Sequence, residues 1–80
     1  MRLYTIYDRL AEESGPLFEA KNDLIAWRMF LGVQMPGKRE DYKLLSLGIY
    51  HHDPVHIELF STPVEVSDGK GGVEDVNEAL

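Results

Sequence analysis

Cysteine is absent from this chain, so neither a disulfide framework nor a thiolate metal site can contribute to its stability. Long apolar runs are also missing. The longest strongly apolar stretch, Leu24 to Met35, is broken by Arg28 and Gln34 and is too short to cross a bilayer. Basic residues are few, 8 against 14 acidic ones. Met1-Arg2-Leu3-Tyr4 lacks the basic-then-apolar layout of a signal peptide, so a cytoplasmic location is expected, with no membrane partner.

What remains is small. A chain of 80 residues buries only about 60% of the surface that its unfolded form exposes. One core fits, and it must suffice alone or be completed by oligomerisation, so a homodimer is the expected state. Charge is unevenly placed. Residues 1–60 carry seven basic and nine acidic side chains, 7 − 9 = −2, whereas residues 61–80 carry Lys70 against Glu65, Asp68, Glu74, Asp75 and Glu78, 1 − 5 = −4. Tight nonspecific attraction to a phosphate backbone is disfavoured by that balance, although a local basic patch is compatible with it.

The pattern predicts an α+β domain over residues 1–66 and a flexible acidic tail over 67–80. Leu3 to Tyr7 is β-branched and aromatic and reads as a strand. Ser14-Gly15-Pro16 marks a turn, and Leu17 to Ala20 reads as a second strand running back beside the first. Asn22 has the right chemistry for an N-cap and Asp23 suits the positive end of the helix dipole, so a helix is predicted from Asp23 to Gln34, stopped by Met35-Pro36-Gly37. A hairpin follows, Tyr42 to Tyr50 and Val55 to Phe60 joined through His51-His52-Asp53-Pro54. Its buried face is expected to hold Leu45, Leu47, Ile49, Val55, Ile57 and Leu59. Gly48 weakens the first strand or marks a bulge. Thr62 to Val66 adds an edge strand or trails off. Gly69-Lys70-Gly71-Gly72 reads as a linker, and Val73 to Leu80 as a short helix against a partner or as disorder.

The predicted helix is apolar on two sides. At about 100° per residue, Ile25, Ala26, Met29, Phe30 and Val33 gather on one stripe and Leu24, Trp27 and Leu31 on another, with Arg28 the one charge between Leu24 and Val33. One stripe suits a sheet. The other, Leu24, Trp27 and Leu31, is either a dimer or partner interface or a cover for a sheet edge or the C-terminal segment.

Chemistry-bearing patterns are sparse. His51, His52 and His56 are typical metal-ligand residues, but adjacent histidines on a strand point to opposite sides and no second ligand cluster accompanies them, so exposed turn histidines are expected and no metal. The run at Gly69 lacks the spacing and the Ser or Thr of a phosphate loop. Ser14, Ser46, Ser61 and Ser67 have no flanking nucleophile signature, so neither an enzyme nor a cofactor is expected. A single-strand binder combines stacking aromatics with a basic path. Tyr4, Tyr7, Trp27, Tyr42 and Tyr50 supply candidate stacking rings, and Lys21, Arg28, Lys38, Arg39 and Lys43 candidate phosphate contacts, with Tyr42 the ring placed among them.

The order of several short segments is distinctive. Tyr4-x-Ile6-Tyr7-Asp8, Gly15-Pro16-x-Phe18-x-Ala20-Lys21-Asn22-Asp23, Ala26, Arg28 and Phe30, and Asp41-Tyr42-x-Leu44-x-x-Leu47-Gly48-x-Tyr50 together cover residues 1–50. In that order and spacing the chain resembles the small nonstructural protein of gokushoviruses, single-stranded-DNA phages of the Microviridae. The resemblance implies a phage accessory protein made in the cytoplasm of the bacterial host and left out of the shell. It implies action around genome replication, in the switch from double-stranded to single-stranded synthesis or in handling the single strand. It brings no catalytic or binding residues with it. Single-stranded DNA and a host or phage replication protein are thus the two candidate partners, the second requiring no direct DNA contact.

Overall fold

The computed structural model describes residues 1–67; the predicted linker, the predicted short helix and nearly all of the predicted tail lie outside the described residues. The elements are β1 (Arg2–Asp8), β2 (Glu13–Ser14), β3 (Phe18–Ala20), α1 (Asp23–Gly32), a one-turn 3₁₀ helix (Arg39–Asp41), β4 (Tyr42–His52) and β5 (Val55–Val66). They form a five-stranded antiparallel sheet ordered β2-β1-β4-β5, with β3 on the same edge of β1 as β2. The sheet curls into a half-barrel. This is the predicted α+β class with one strand more than the sequence indicated.

That extra strand is made by local polar chemistry. Asp8 Oδ1 accepts from the amides of Leu10 and Ala11, both at 3.0 Å, and the chain reverses through Glu12 in the left-handed region, φ 57°. Glu13 and Ser14 then pair with Asp8 and Tyr7. Gly15-Pro16-Leu17 leaves the ladder before Phe18 rejoins it opposite Tyr4. Buried Thr5 spans the gap, its hydroxyl donating to the Gly15 carbonyl at 2.9 Å.

Helix α1 starts where Asn22 Oδ1 accepts the Ile25 amide at 2.9 Å, the predicted N-cap. It ends two residues earlier than predicted, because Val33 is extended (φ −80°, ψ 131°) and its amide reaches back to the Phe30 carbonyl. Gly32, the poorest helix former after proline, is thus the last helical residue, and the chain leaves the helix three residues before Pro36.

The core lies between α1 and one sheet face. Tyr4, Ala20, Ala26, Phe30, Leu44 and Val66 are buried there, with Ile6, Phe18, Trp27, Met35 and Tyr42 packed against them. Tyr4 stacks on Phe18, ring centroids 5.7 Å apart, and its hydroxyl donates to Asp23 Oδ1 at 2.6 Å, tying the first turn of the helix to the central strand. Burial, then the adjacent Asp23 carboxylate, holds the Tyr4 phenol well above its ordinary range.

The hairpin folds as predicted, but its buried face does not. Leu44 and Ser46 are buried, whereas Leu45, Leu47 and Ile49 are only half covered and Val55, Ile57 and Leu59 are exposed (75%, 47% and 71%). The reason is volume. Ser46 sits across from Tyr4, and a small side chain there leaves room for that ring and for Phe30 of the helix. The register also shifts beside Gly48, which bears out the bulge: Tyr4 pairs with Ser46 but Leu3 with Gly48. On the other side β5 loops out between Leu59 and Val64, and Pro63 falls in this stretch, where no ladder N–H is required. The segment expected to form a separate edge strand or trail off is the re-paired end of β5, with Val66 opposite Leu44.

Candidate interaction surfaces

Outward from the core, α1 presents the groups that a binding reading needs. Ala26 and Phe30 are its fully buried line. Ile25, Met29 and Val33, expected on the inward stripe, are instead 39 to 44% exposed, because the buried line lies to one side of them. Met29 and Val33 face a groove of about 310 Å³ completed by Ile6, Gly15, Pro16, Leu17 and Phe18. On the opposite flank, Leu24 and Leu31 are 46% and 40% exposed, while Trp27 between them is half-buried with its ring 5.2 Å from Phe30. Trp27 thus belongs partly to the core, and the predicted interface stripe is Leu24 and Leu31 around its visible edge. The groove on the other flank was not evident from sequence; its one signal was Gly15-Pro16-Leu17, an apolar turn in an otherwise polar loop.

A second feature forms at the end of the helix. Leu31, Val33, Met35, Lys38, Arg39 and Tyr42 enclose an open cleft of about 470 Å³. Arg39 Nη2 donates to the Leu31 carbonyl at 3.3 Å, setting a cation against the negative end of the helix dipole. The Tyr42 hydroxyl donates to the Pro36 carbonyl at 2.6 Å, and loss of water, then Asp8 and Asp41, raises its pKa above the ordinary phenol value. Asp41 sits beside the cleft wall, its Oδ2 accepting the Lys38 amide at 3.3 Å and its own amide donating to the Lys38 carbonyl at 3.0 Å. Among the described residues the charged side chains that line the cleft are Lys38 and Arg39, with the Asp41 carboxylate at its margin.

The predicted nucleic-acid residues are therefore divided. Lys38, Arg39 and Tyr42 meet at this cleft. Lys21 lies at the other end of α1, just before its N-cap, and Arg28 points outward from the helix, opposite the buried line. Lys43 projects to the far sheet face, its Nζ 5.5 Å from the centre of the Tyr7 ring. Of the predicted stacking rings, Tyr4 is removed by complete burial, Tyr7 is half-buried beneath Lys43, and Tyr50 is stacked on His52 at 4.5 Å.

The histidines separate as the strand pattern requires. His51 stacks on His56 and lies 3.4 Å from Glu58, whereas His52 contacts Glu19 at 2.7 Å on the other face. Among the described residues, no three His, Cys, Asp or Glu side chains are grouped to hold a metal ion, and no helix is long and apolar enough to cross a membrane. Compared with family models, curated proteins and solved structures, the chain matches none.

Proposed function

We propose that this chain is a nonstructural accessory protein of a single-stranded-DNA phage, acting by stoichiometric binding during viral DNA replication or genome handling in the bacterial cytoplasm. It performs no chemical step, and its contact with the single strand is made at the helix-end cleft. The observation that carries the reading is the meeting of Lys38, Arg39 and the Tyr42 ring at one open cleft. Cations beside an aromatic ring suit a single strand, which offers phosphates and unstacked bases together. The segments quoted above as resembling the gokushovirus protein supply the biological setting. A fluorescent oligonucleotide titrated at low salt tests it. Saturable binding that Lys38→Ala with Arg39→Ala weakens at least tenfold is expected, and no binding in 20 mM salt removes the reading.

A second reading, a module that docks on a replication protein without touching DNA, is favoured by the exposed Leu24 and Leu31 beside half-buried Trp27. Apolar stripes of this spacing are the usual contact of helix-in-groove recognition, and they serve equally for a homodimer. Light scattering with and without the oligonucleotide distinguishes the states: a mass near twice 9.1 kDa identifies the dimer.

A further inference from the structure

The cleft at the end of α1 lies close to where the chain leaves the sheet. Val66 is buried opposite Leu44 on β4, and Tyr42, two residues back along that strand, lines the cleft. Two strand residues span about 6.6 Å and one inter-strand step about 4.8 Å, so the departure point is on the order of 8 Å from the level of Tyr42. Residues 68–80 then follow. They carry Asp68, Glu74, Asp75 and Glu78 against Lys70 alone, with Val73, Val76 and Leu80 interleaved at spacings of three and four. The cleft has the complementary composition: Lys38 and Arg39 as cations, and Leu31, Val33 and Met35 as apolar wall.

We infer that residues 73–80 of the same chain dock into this cleft, their carboxylates toward Lys38 and Arg39 and their apolar positions toward Leu31, Val33 and Met35. The segment is thereby an internal competitor for the anion site, displaced when a polyanion binds. Reach is ample, since residues 68–80 extend to about 43 Å at 3.3 Å each. A tether of that length holds its end at roughly millimolar effective concentration, so a contact too weak to detect between separate molecules is populated within one. Arg39 is partly engaged by the Leu31 carbonyl and offsets the helix dipole there, and Lys38 supplies the second cation of the cleft. The inference shares its site with the DNA reading and rests on the same attraction of the cleft for anions.

Because the chain has no cysteine, Ala79→Cys creates a single thiol for a nitroxide label on the full-length protein. Paramagnetic loss of amide signals is then read along the chain. Loss of more than half the intensity at Gly32, Val33, Lys38 and Arg39, with Arg2, Glu19 and His52 unchanged, is the expected pattern. Lys38→Glu with Arg39→Glu should cut that loss at least twofold, and adding Glu74→Lys, Asp75→Lys and Glu78→Lys should restore it. Broadening confined to residues beside Val66, or indifferent to charge reversal, overturns the inference. So does broadening that arises only when labelled and isotope-enriched molecules are mixed, since a second copy is then the occupant. Cleft broadening in a protein that never binds the oligonucleotide supports the docked segment and removes the DNA reading. Oligonucleotide binding at Lys38 without such broadening removes the docked segment alone.

Discussion

Gly48 is the position where the sheet has least room, and Gly48→Ala should unfold the protein well below its native melting temperature. A methyl group there would sit 2.1 Å from the Glu58 carbonyl oxygen, 2.9 Å from Leu59 Cα and 3.0 Å from the Glu58 carbonyl carbon. All three are backbone atoms of β5, so no rotamer change relieves the clash, and an ordinary contact near 3.4 Å requires β5 to retreat by more than about 1 Å. That retreat pulls on the ladder on both sides, Ile49 with Glu58 and Ser46 with Val64. Overpacking of a rigid site costs about 1–3 kcal/mol, and an obstacle made of backbone belongs at the upper end. At about 4–8 °C per kcal/mol for a domain of this size, a loss of roughly 3 kcal/mol lowers the Tm by about 12–24 °C. Total stability for such a chain is about 4–12 kcal/mol, so the variant remains folded at 25 °C if only by a margin. Thermal melts followed by far-ultraviolet circular dichroism, with urea unfolding to check that m is unchanged, measure the effect. A Tm within about 4 °C of the parent would refute the reasoning and mean that β4 and β5 are not held as close as described.

Gly32→Ala works in the opposite direction: among the described residues nothing outside the helix backbone and the adjoining residues lies within 4 Å of the added methyl group, and alanine over glycine at the end of α1 is worth about 0.5–1 kcal/mol, so the Tm should rise by a few degrees and a fall would contradict the open surroundings. Tyr4→Phe removes the 2.6 Å bond to Asp23 and should cost about 1–2 kcal/mol in urea denaturation at pH 7, with a loss below a few tenths counting against the bond. The same residue sets a pH dependence. Its phenol ionises near pH 10 when unfolded and only at higher pH when folded, so above pH 10 the unfolded chain holds fewer protons and stability falls as pH rises. Urea midpoints from pH 8 to 11.5 should therefore decline more steeply for the parent than for Tyr4→Phe, and parallel curves would show that the phenol is not shielded.

Sequence reasoning succeeded where a single local interaction decides the outcome. Asn22 as the N-cap, the hairpin through Asp53-Pro54 and the bulge beside Gly48 each depend on a few neighbouring residues, and each is visible in the pattern. It failed where distant packing decides. Alternation picked the greasier set of the hairpin, Leu45, Leu47, Ile49, Val55, Ile57 and Leu59, as the buried one, yet the helix side goes to Leu44 and Ser46 because Tyr4 brings its bulk from another strand. Tyr4 itself, offered as a stacking ring, is with Phe30 and Leu44 one of the fully buried large side chains of the core. Strand β2 was illegible because Glu13-Ser14 has no strand propensity and is folded back by Asp8 and Glu12. At the candidate site, the sequence named Lys38, Arg39 and Tyr42 but had no means of separating them from Lys21 and Lys43, which only the course of the helix and the two faces of β4 place elsewhere.

The misread hairpin face bears on function, because it leaves Ile57 and Leu59 exposed on the sheet in addition to Leu24 with Leu31, and Met29 with Val33, on the two flanks of the helix. The helix stripe borders one cation, Arg28, and meets the cleft at Leu31, whereas the cleft itself carries Lys38 and Arg39. Salt separates them. Two cations that neutralise two phosphates of a single strand give a slope of about −1.4 in log affinity against log salt, or about a sevenfold loss between 50 and 200 mM. Docking through Leu24 and Leu31 buries hydrocarbon and answers little to salt in that range. A single strand whose affinity falls about sevenfold, and loses that dependence in Lys38→Ala with Arg39→Ala, is using the cleft, whereas a partner whose affinity is indifferent to salt and is abolished by Leu24→Asp, a residue outside the cleft, is using the helix stripe.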